Sequence, residues 1–444
     1  MRNPHMADPE LSPERLRREL GVFGATMMGL GAIIGTGVFV SIGVAAGVAG
    51  PAVILAIAIA ALVAAANALN SAQLAASHPI SGGTYEYGYK YLKPWLGFTA
   101  GWMFLCAKTA SAATAALGFS GYLLNAFRAS NRLLLIAVAV ATAAILTLVV
   151  LGGMRQSNWT NIAIVSVTLL ALSVFVLAGL PSALSSGAEN LTPFFRSDAE
   201  GAMGAAQSVL HATALMFVAY TGYGRIATLG EEVHEPRRTI PKVIIITLLV
   251  SMLLYLAVGA VGLASVGPEV MRAATREKAA PLEVIARQFR VPGVHWLVAV
   301  GAMTAMLGVL LNLILGLSRV LLAMGRRGDM PAALAKLNAS GRTPFWAVLA
   351  VGLAIAALAL IGDVKTTWSF SAFTVLIYYA ITNLAALYLL EQDRRYPRAV
   401  AWFGLAACLF LAFWVERRIW LVGVALIGLG LAWHLVASRA GRRA

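Results

Sequence analysis

Residues 29–39 read GLGAIIGTGVF and lie within the first long apolar segment of the chain. A membrane-spanning helix normally carries large apolar side chains there, and each glycine in a helix interior costs roughly 1 kcal/mol relative to alanine. A helix that unwinds in lipid also leaves backbone polar groups without water or a partner. Such a break is tolerated where it faces a cavity or a ligand, so the stretch predicts a binding site within the membrane.

The composition is that of a polytopic membrane protein. Of the 444 residues, 60% are hydrophobic and 12% are charged, and the mean hydropathy is +0.80. Such values exclude a soluble domain of this length. The net charge of +15 is spread over short loops between apolar runs, which argues against nucleic acid as a partner. The six histidines are widely scattered, so we predict neither a cofactor nor a metal site.

Twelve apolar runs are long enough to span a bilayer, which needs about 20 residues each. Their approximate limits are 22–48, 51–76, 94–125, 132–152, 158–180, 203–231, 240–266, 292–325, 344–362, 366–391, 398–414 and 418–438. We therefore predict an all-α integral membrane protein with twelve transmembrane helices. The predicted division is an N-terminal segment 1–21, a ten-helix core 22–391, helices 11 and 12 in 392–438, and a tail 439–444.

Lysine and arginine set the predicted orientation. With the N-terminus in the cytoplasm, 22 of the 34 basic residues fall on the inner side and 11 on the outer side. Cytoplasmic loops carry the excess of these residues in most membrane proteins. The sequence thus predicts a multi-pass protein of the cytoplasmic membrane with both termini inside and the loop 267–291 outside.

A second interruption lies in the sixth run, where residues 217–224 read FVAYTGYG. Because spans one and six are five helices apart, two five-helix halves would have opposite orientations in the membrane. Paired broken helices in inverted halves are the best sequence indication of a transporter binding site. Small residues in membrane helices also serve close helix packing, which is the structural alternative for these glycines.

The two breaks offer complementary chemistry. The half-helix that begins near Gly37 exposes backbone N–H groups and a positive dipole end, which suit a carboxylate. The half-helix that ends near Thr221 leaves carbonyls that can accept hydrogen bonds from an ammonium group. Tyr220 and Tyr223 either line a side-chain pocket or serve as packing aromatics.

Five motifs together resemble the amino acid–polyamine–organocation transporters. They are GAIIGTGVF at 31–39, GMRQS at 153–157, FVAYTGY at 217–223, EEVHEPRRTIP at 231–241, and SRVLLAM at 318–324 followed by GDMP at 328–331. The likeness covers spans one to ten and is strongest to the cationic amino acid transporter branch and its bacterial relatives.

This resemblance implies the inverted 5+5 repeat of the bacterial leucine transporter fold, with helices 1 and 6 broken and two extra helices. It implies a secondary transporter, a permease or exchanger, that moves amino acids by alternating access with proton linkage. The substrate carboxylate would bind Gly35, Thr36 and Gly37, and the amine would meet carbonyls near Ile33, Val218, Ala219 and Thr221. Glu231, Glu232 and Arg237 would form an inner gate.

Two positions depart from the family pattern. Many relatives carry a lysine in the middle of helix 5, in the place of a sodium ion, and Thr168 stands there in this chain. Lys108 instead lies in the middle of span three, and no acidic residue occurs between Glu86 and Glu189. Burial without an acidic partner favours the neutral form of a lysine. Lys108 either takes over the coupling role or pairs with an acidic group of the substrate, and sodium is the alternative coupling ion.

Other functions remain as alternatives at this stage. A polyamine or organic amine transporter would share the fold, and so would a transport-inactive nutrient sensor. An intramembrane enzyme would need a nucleophile with a base or a metal cluster, and the sequence shows neither. We therefore predict a transporter and not an enzyme, with the substrate, the lipid bilayer and protons or sodium as its partners. The oligomeric state stays open.

Overall fold

The computed structural model describes residues 21–78, 82–129, 131–153, 158–195, 201–227, 233–338 and 343–441. Within these ranges the α-, 3-10- and π-helices are joined by short turns and loops and there is no β-strand, in agreement with the predicted all-α class. The helices are α1 Val22–Ile33, α2 Ile42–Ala49, α3 Val53–Ser77, α4 Thr84–Tyr91, α5 Pro94–Ala126, α6 Arg132–Leu151, α7 Asn158–Asn190, α8 Gly201–Tyr220, α9 Gly224–Ala227, α10 Pro236–Lys278, α11 Pro281–Ala286, α12 Val294–Arg327, α13 Phe345–Ala359, α14 Val364–Leu387, α15 Arg398–Ala412 and α16 Arg417–Gly441.

Eight helical stretches of the described chain are long and apolar enough to cross a membrane. The first of them runs through Val22–Ser77 and contains two of the predicted spans. Two further apolar helices, α13 and α15, have 15 residues each. Helix α5 has 33 residues but does not count among the eight, because its polar residues lower its hydropathy. The structure thus supports a multi-pass membrane protein.

Helix ends follow local sequence signals. The Asn131 side chain accepts hydrogen bonds from the backbone N–H groups of Leu133 and Leu134 and so caps α6. Asp363 caps α14 in the same way. Gly267 has a φ of 78° inside α10, and it separates the long apolar part of the helix from an outer segment, 268–278, which is named for the side that the charge distribution predicts for it.

Helix α5 lies at the centre of the bundle and packs against α12, α14, α6 and the short helix α4. Its buried positions are mainly alanine and glycine, which let neighbouring backbones approach closely. By contrast, α16 exposes most of its apolar side chains, as expected for a helix at the lipid boundary. The two segments around residues 34–37 and 221–223 lie inside this packed core.

Candidate functional site

The first helix loses regular hydrogen bonding where the sequence predicts it. The Ile34 amide donates to the Leu30 carbonyl, and the next recorded donors are the amides of Val38 and Phe39, which both bind the Gly35 carbonyl at 3.1 Å. The chain then continues as a π-helical segment, Gly37–Ser41, into α2. Between the two parts, the amides of Gly35 and Thr36 have no backbone acceptor among the described residues.

The sixth span is interrupted at the predicted motif as well. Helix α8 ends at Tyr220, and a 3-10 turn, Thr221–Tyr223, leads into the short helix α9. The Thr221 hydroxyl donates to the Val218 carbonyl at 2.8 Å, which satisfies one carbonyl that the α-helix leaves open.

The two interruptions lie against each other. A Cβ atom built on Gly222 would stand 2.2 Å from the carbonyl oxygen of Ala32, and one on Gly37 would stand 2.9 Å from the Cβ of Ala219. Contacts this short leave room for glycine only. Both interpretations of the glycines therefore apply: they allow the close helix contact, and this contact brings the two unwound segments together.

Tyrosine hydroxyls bind the carbonyls of both segments. The Tyr255 hydroxyl lies 2.8 Å from the Ile33 carbonyl and 3.2 Å from the Ala219 carbonyl, so it bridges the first and sixth spans. The Tyr379 hydroxyl donates to the Thr221 carbonyl at 3.2 Å. Each carbonyl oxygen has a second lone pair, so these oxygens can still accept one more donor.

Lys108 projects from α5 to the sixth-span turn. Its ammonium group donates to the Thr221 hydroxyl at 2.8 Å, and this hydroxyl is its one recorded acceptor in the described chain. No carboxylate of the described residues lies within ion-pair distance of Lys108. The lysine side chain is half-buried, whereas Thr221 is 2% exposed. Lys108 therefore contacts the sixth-span turn without an acidic partner among the described residues.

Thr36 and Thr168 are both buried but differ in their bonding. The Thr36 hydroxyl, in the gap of the first span, has no hydrogen-bond partner among the described residues. The Thr168 hydroxyl, on α7, donates to the Ile164 carbonyl of its own helix at 2.7 Å. No hydrogen bond joins Thr168 and Lys108 in the described part of the chain.

Tyr220 and Tyr223 are fully buried. The Tyr220 hydroxyl reaches the Ile57 carbonyl at 3.4 Å, and the Tyr223 ring packs on Tyr379 with 5.3 Å between ring centroids. In this conformation both rings pack next to the breaks, and their predicted role in a side-chain pocket stays a prediction. The predicted gate residues Glu231 and Glu232 lie outside the described residues, as does the side chain of Arg237.

A large cavity opens on the side that the charge distribution assigns to the outside. It measures about 810 Å³ and lies along α2, the outer end of α5 and the outer segment of α10. Its charged lining residues are Arg132, Arg272, Arg276, Glu277, Lys278, Asp363, Lys365 and Glu416. Five basic and three acidic groups give this outer cavity an excess of two positive charges.

The described residues contain no group of three or more His, Cys, Asp or Glu side chains that could hold a metal ion. The candidate site is thus built from backbone amides and carbonyls, hydroxyl groups and one ammonium group. Such a set can bind a small polar molecule through hydrogen bonds and charge.

The sequence matches the family described as amino acid permease over residues 20–427. It is 41% identical to an uncharacterised transporter of Mycobacterium tuberculosis over 447 aligned residues, which cover the whole of this chain and 96% of the relative.

Two relatives carry more specific names. The chain is 28% identical to a branched-chain amino acid permease of Bacillus subtilis, across 95% of this chain and 91% of the relative. It is 30% identical to human cationic amino acid transporter 4, across 86% of this chain and 61% of the relative.

Proposed function

This chain belongs to the amino acid permease family of membrane transporters, and from that premise we propose that it is a secondary active transporter of amino acids. The chain is a transporter and not an enzyme. The observation that carries the proposal is the contact between the two unwound segments around 34–37 and 221–223, next to the Lys108 ammonium. Unwound helices inside a membrane protein expose backbone groups to a ligand.

The proposed architecture has twelve spans in two inverted five-helix repeats plus two helices. The described helices support this count if the stretch Val22–Ser77 is divided at Gly50 and if α5, α13 and α15 also cross the membrane. Alternating access would then move one group of helices relative to the other around the two breaks. The proposed location is the cytoplasmic membrane, with both termini inside.

In the proposed binding mode, the substrate carboxylate accepts hydrogen bonds from Gly35, Thr36 and Gly37. The unpaired Thr36 hydroxyl and the free amides of Gly35 and Thr36 support this assignment. The substrate ammonium would bind the carbonyls of Ile33, Val218, Ala219 and Thr221. These carbonyls already accept hydroxyl donors, so the ammonium uses their second lone pairs or displaces a hydroxyl.

We assign proton coupling to Lys108. Lysine is a compact charge that can exchange its proton when it is removed from water. Thr168 offers only one hydroxyl, which already bonds within its own helix, and one hydroxyl is a poor sodium ligand. A transporter of polyamines or other organic cations is the runner-up, and the positive charge of Lys108 disfavours it.

The function is tested with the purified full-length protein in proteoliposomes. Vesicles loaded with one unlabelled amino acid at a time are diluted into a trace of the same labelled amino acid. Counterflow that exceeds the signal of protein-free vesicles would identify a substrate. The panel includes acidic, neutral and basic amino acids and a polyamine. Counterflow with the polyamine alone would favour the runner-up, and no counterflow with any compound would contradict the proposal.

Replacing Lys108 with methionine is expected to remove the pH dependence of transport. The parent protein should show uptake that depends on the pH gradient without a requirement for sodium. The variant keeps a similar volume but has no exchangeable proton, so its uptake rate should be flat between pH 5.5 and about pH 8. Lys336→Met, at an exposed position, is the matched control. A sodium requirement in the parent, together with an unchanged pH profile in Lys108→Met, would show that coupling was assigned to the wrong residue.

A further inference from the structure

We infer that the preferred substrate has a second acidic group, as a dicarboxylic amino acid does, and that Lys108 binds this group. The inference rests on the proposed function and narrows its substrate class. It starts from the position of the Lys108 ammonium, 2.8 Å from the Thr221 hydroxyl at the sixth-span turn. An ammonium group has three N–H donors, and Thr221 uses one of them. The other two N–H donors of Lys108 have no hydrogen-bond acceptor among the described residues and can bind a ligand.

Charge balance favours an acidic ligand. A substrate ammonium on the carbonyls of Ala219 or Thr221 would stand within a few ångströms of the Lys108 ammonium. Like charges at this separation repel strongly in a medium of low dielectric constant. No described carboxylate near Lys108 offsets the repulsion. A carboxylate on the substrate side chain supplies the missing negative charge and pairs with the lysine.

The net positive charge of the outer cavity also favours an anionic substrate. Its basic residues Arg276 and Lys278 have no ion pair within the described part of the chain, whereas Lys365 pairs with Glu416 and Arg272 with Glu269. The cavity reaches Gly43 and Gly47 on α2, the helix that continues from the first break. A cleft with a net positive charge raises the local concentration of anionic solutes and their association rate. The outer cavity would therefore concentrate an anionic substrate above the site.

The decisive comparison uses glutamate and glutamine, which have nearly the same shape and differ in the charge of the side chain. Unlabelled competitors are added to counterflow in proteoliposomes of the parent protein at one fixed pH. We expect glutamate or aspartate to compete at least tenfold better than glutamine or asparagine. Arginine and lysine should compete least.

Substitution of Lys108 tests the assigned contact. Lys108→Met should reduce the preference for glutamate over glutamine by tenfold or more, and Lys108→Arg should keep most of it. Lys336→Met is the control for loss of a lysine charge elsewhere and should keep the parent ratio. Monodisperse elution and an unchanged melting temperature show that the Lys108 variants are folded.

The possible outcomes separate the two proposals. If the parent exchanges neutral or basic amino acids better than acidic ones, the inference about substrate class is wrong while the transport function stands. The same conclusion follows if Lys108→Met keeps the parent ratio. If the parent exchanges no amino acid, the proposed function itself fails.

The outer cavity is tested by salt dependence. Arg276→Gln combined with Lys278→Gln should raise the KM for glutamate several-fold at low ionic strength. The difference should shrink at 0.5 M salt, because the Debye length then falls to about 4 Å. Arg290→Gln, exposed outside the cavity lining, is the matched control. An equal KM in the double variant and the parent at low salt would show that the outer cavity does not concentrate the substrate.

Discussion

Replacing Gly222 with alanine is expected to reduce the rate of transport by roughly 100-fold. The added Cβ would stand 2.2 Å from the carbonyl oxygen of Ala32 and close to Ile33, so the two unwound segments could not keep their contact. The obstacle is backbone, which cannot rotate away as a flexible side chain can. Overpacking of a tight contact costs about 1–3 kcal/mol or more. At 1.4 kcal/mol for each factor of ten, the expected loss in uptake rate is roughly 100-fold.

Initial uptake rates in proteoliposomes measure the effect, with the amount of inserted protein determined for each preparation. Gly316→Ala is the matched control, because nothing lies within 4 Å of a Cβ added to this glycine of α12. The control should keep the parent rate. Parent-like uptake by Gly222→Ala would show that the contact between the breaks is not needed for transport.

The sequence was sufficient to locate the breaks because glycine and threonine are costly inside an apolar helix. The structure places the interruptions at 34–37 and 221–223, within the quoted motifs. The same reasoning isolated Lys108, since a lysine in the middle of a span is rare and needs a reason. Residue type alone indicates such positions before any packing is known.

The tyrosines at the site were not predicted. Tyr255 and Tyr379 sit in the middle of long apolar runs, where a tyrosine is usually a packing residue with its hydroxyl bound to some neighbour. That their hydroxyls bind the carbonyls of Ile33, Ala219 and Thr221 depends on how distant helices pack. A polar hydroxyl within an otherwise apolar span was the one available signal.

Long-range polar contacts also escape sequence reasoning in the core. Asn383 on α14 donates to the side-chain oxygen of Asn67 on α3 at 2.6 Å, and its own side-chain oxygen accepts from Asn70 at 2.7 Å. All three asparagines are fully buried, and Asn383 follows the other two by more than 300 residues in sequence. No periodicity relates such residues, so the pairing follows only from the fold.

A buried carboxylate at the end of α12 is a further feature that only the structure reveals. Asp329 is 5% exposed and accepts hydrogen bonds from the hydroxyls of Tyr85 and Tyr89, both at 2.6 Å. Burial and the hydrogen bond to Asp329 raise the pKa of both tyrosines above the ordinary value, so they remain hydroxyl donors at neutral pH. Arg327 lies over both rings and pairs with Glu86 at 2.6 Å.

Asp329 connects three parts of the chain. The two tyrosines belong to α4, the carboxylate follows α12, and on α16 the Trp433 indole donates to the Asp329 carbonyl at 2.8 Å. His434 on α16 lies 3.2 Å from the other carboxylate oxygen. A carboxylate with several donors from separate helices fixes their relative positions. We therefore expect this cluster to hold α4 and α16 against the end of α12.

Replacing Asp329 with alanine should destabilise the protein strongly. It removes two hydrogen bonds to a charged group, each of which contributes about 1.5–3 kcal/mol, and leaves buried hydroxyls without an acceptor. The expected loss is about 3 kcal/mol or more, seen as a melting temperature several degrees lower in detergent. Tyr85→Phe and Tyr89→Phe should each cause part of this loss. Glu391→Ala, which removes an exposed acid, is the control. If Asp329→Ala has the melting temperature of the parent, the carboxylate does not hold the helices together, and the ion pair of Glu86 with Arg327 and the contacts of α4 with α5 and α14 are sufficient to fix α4.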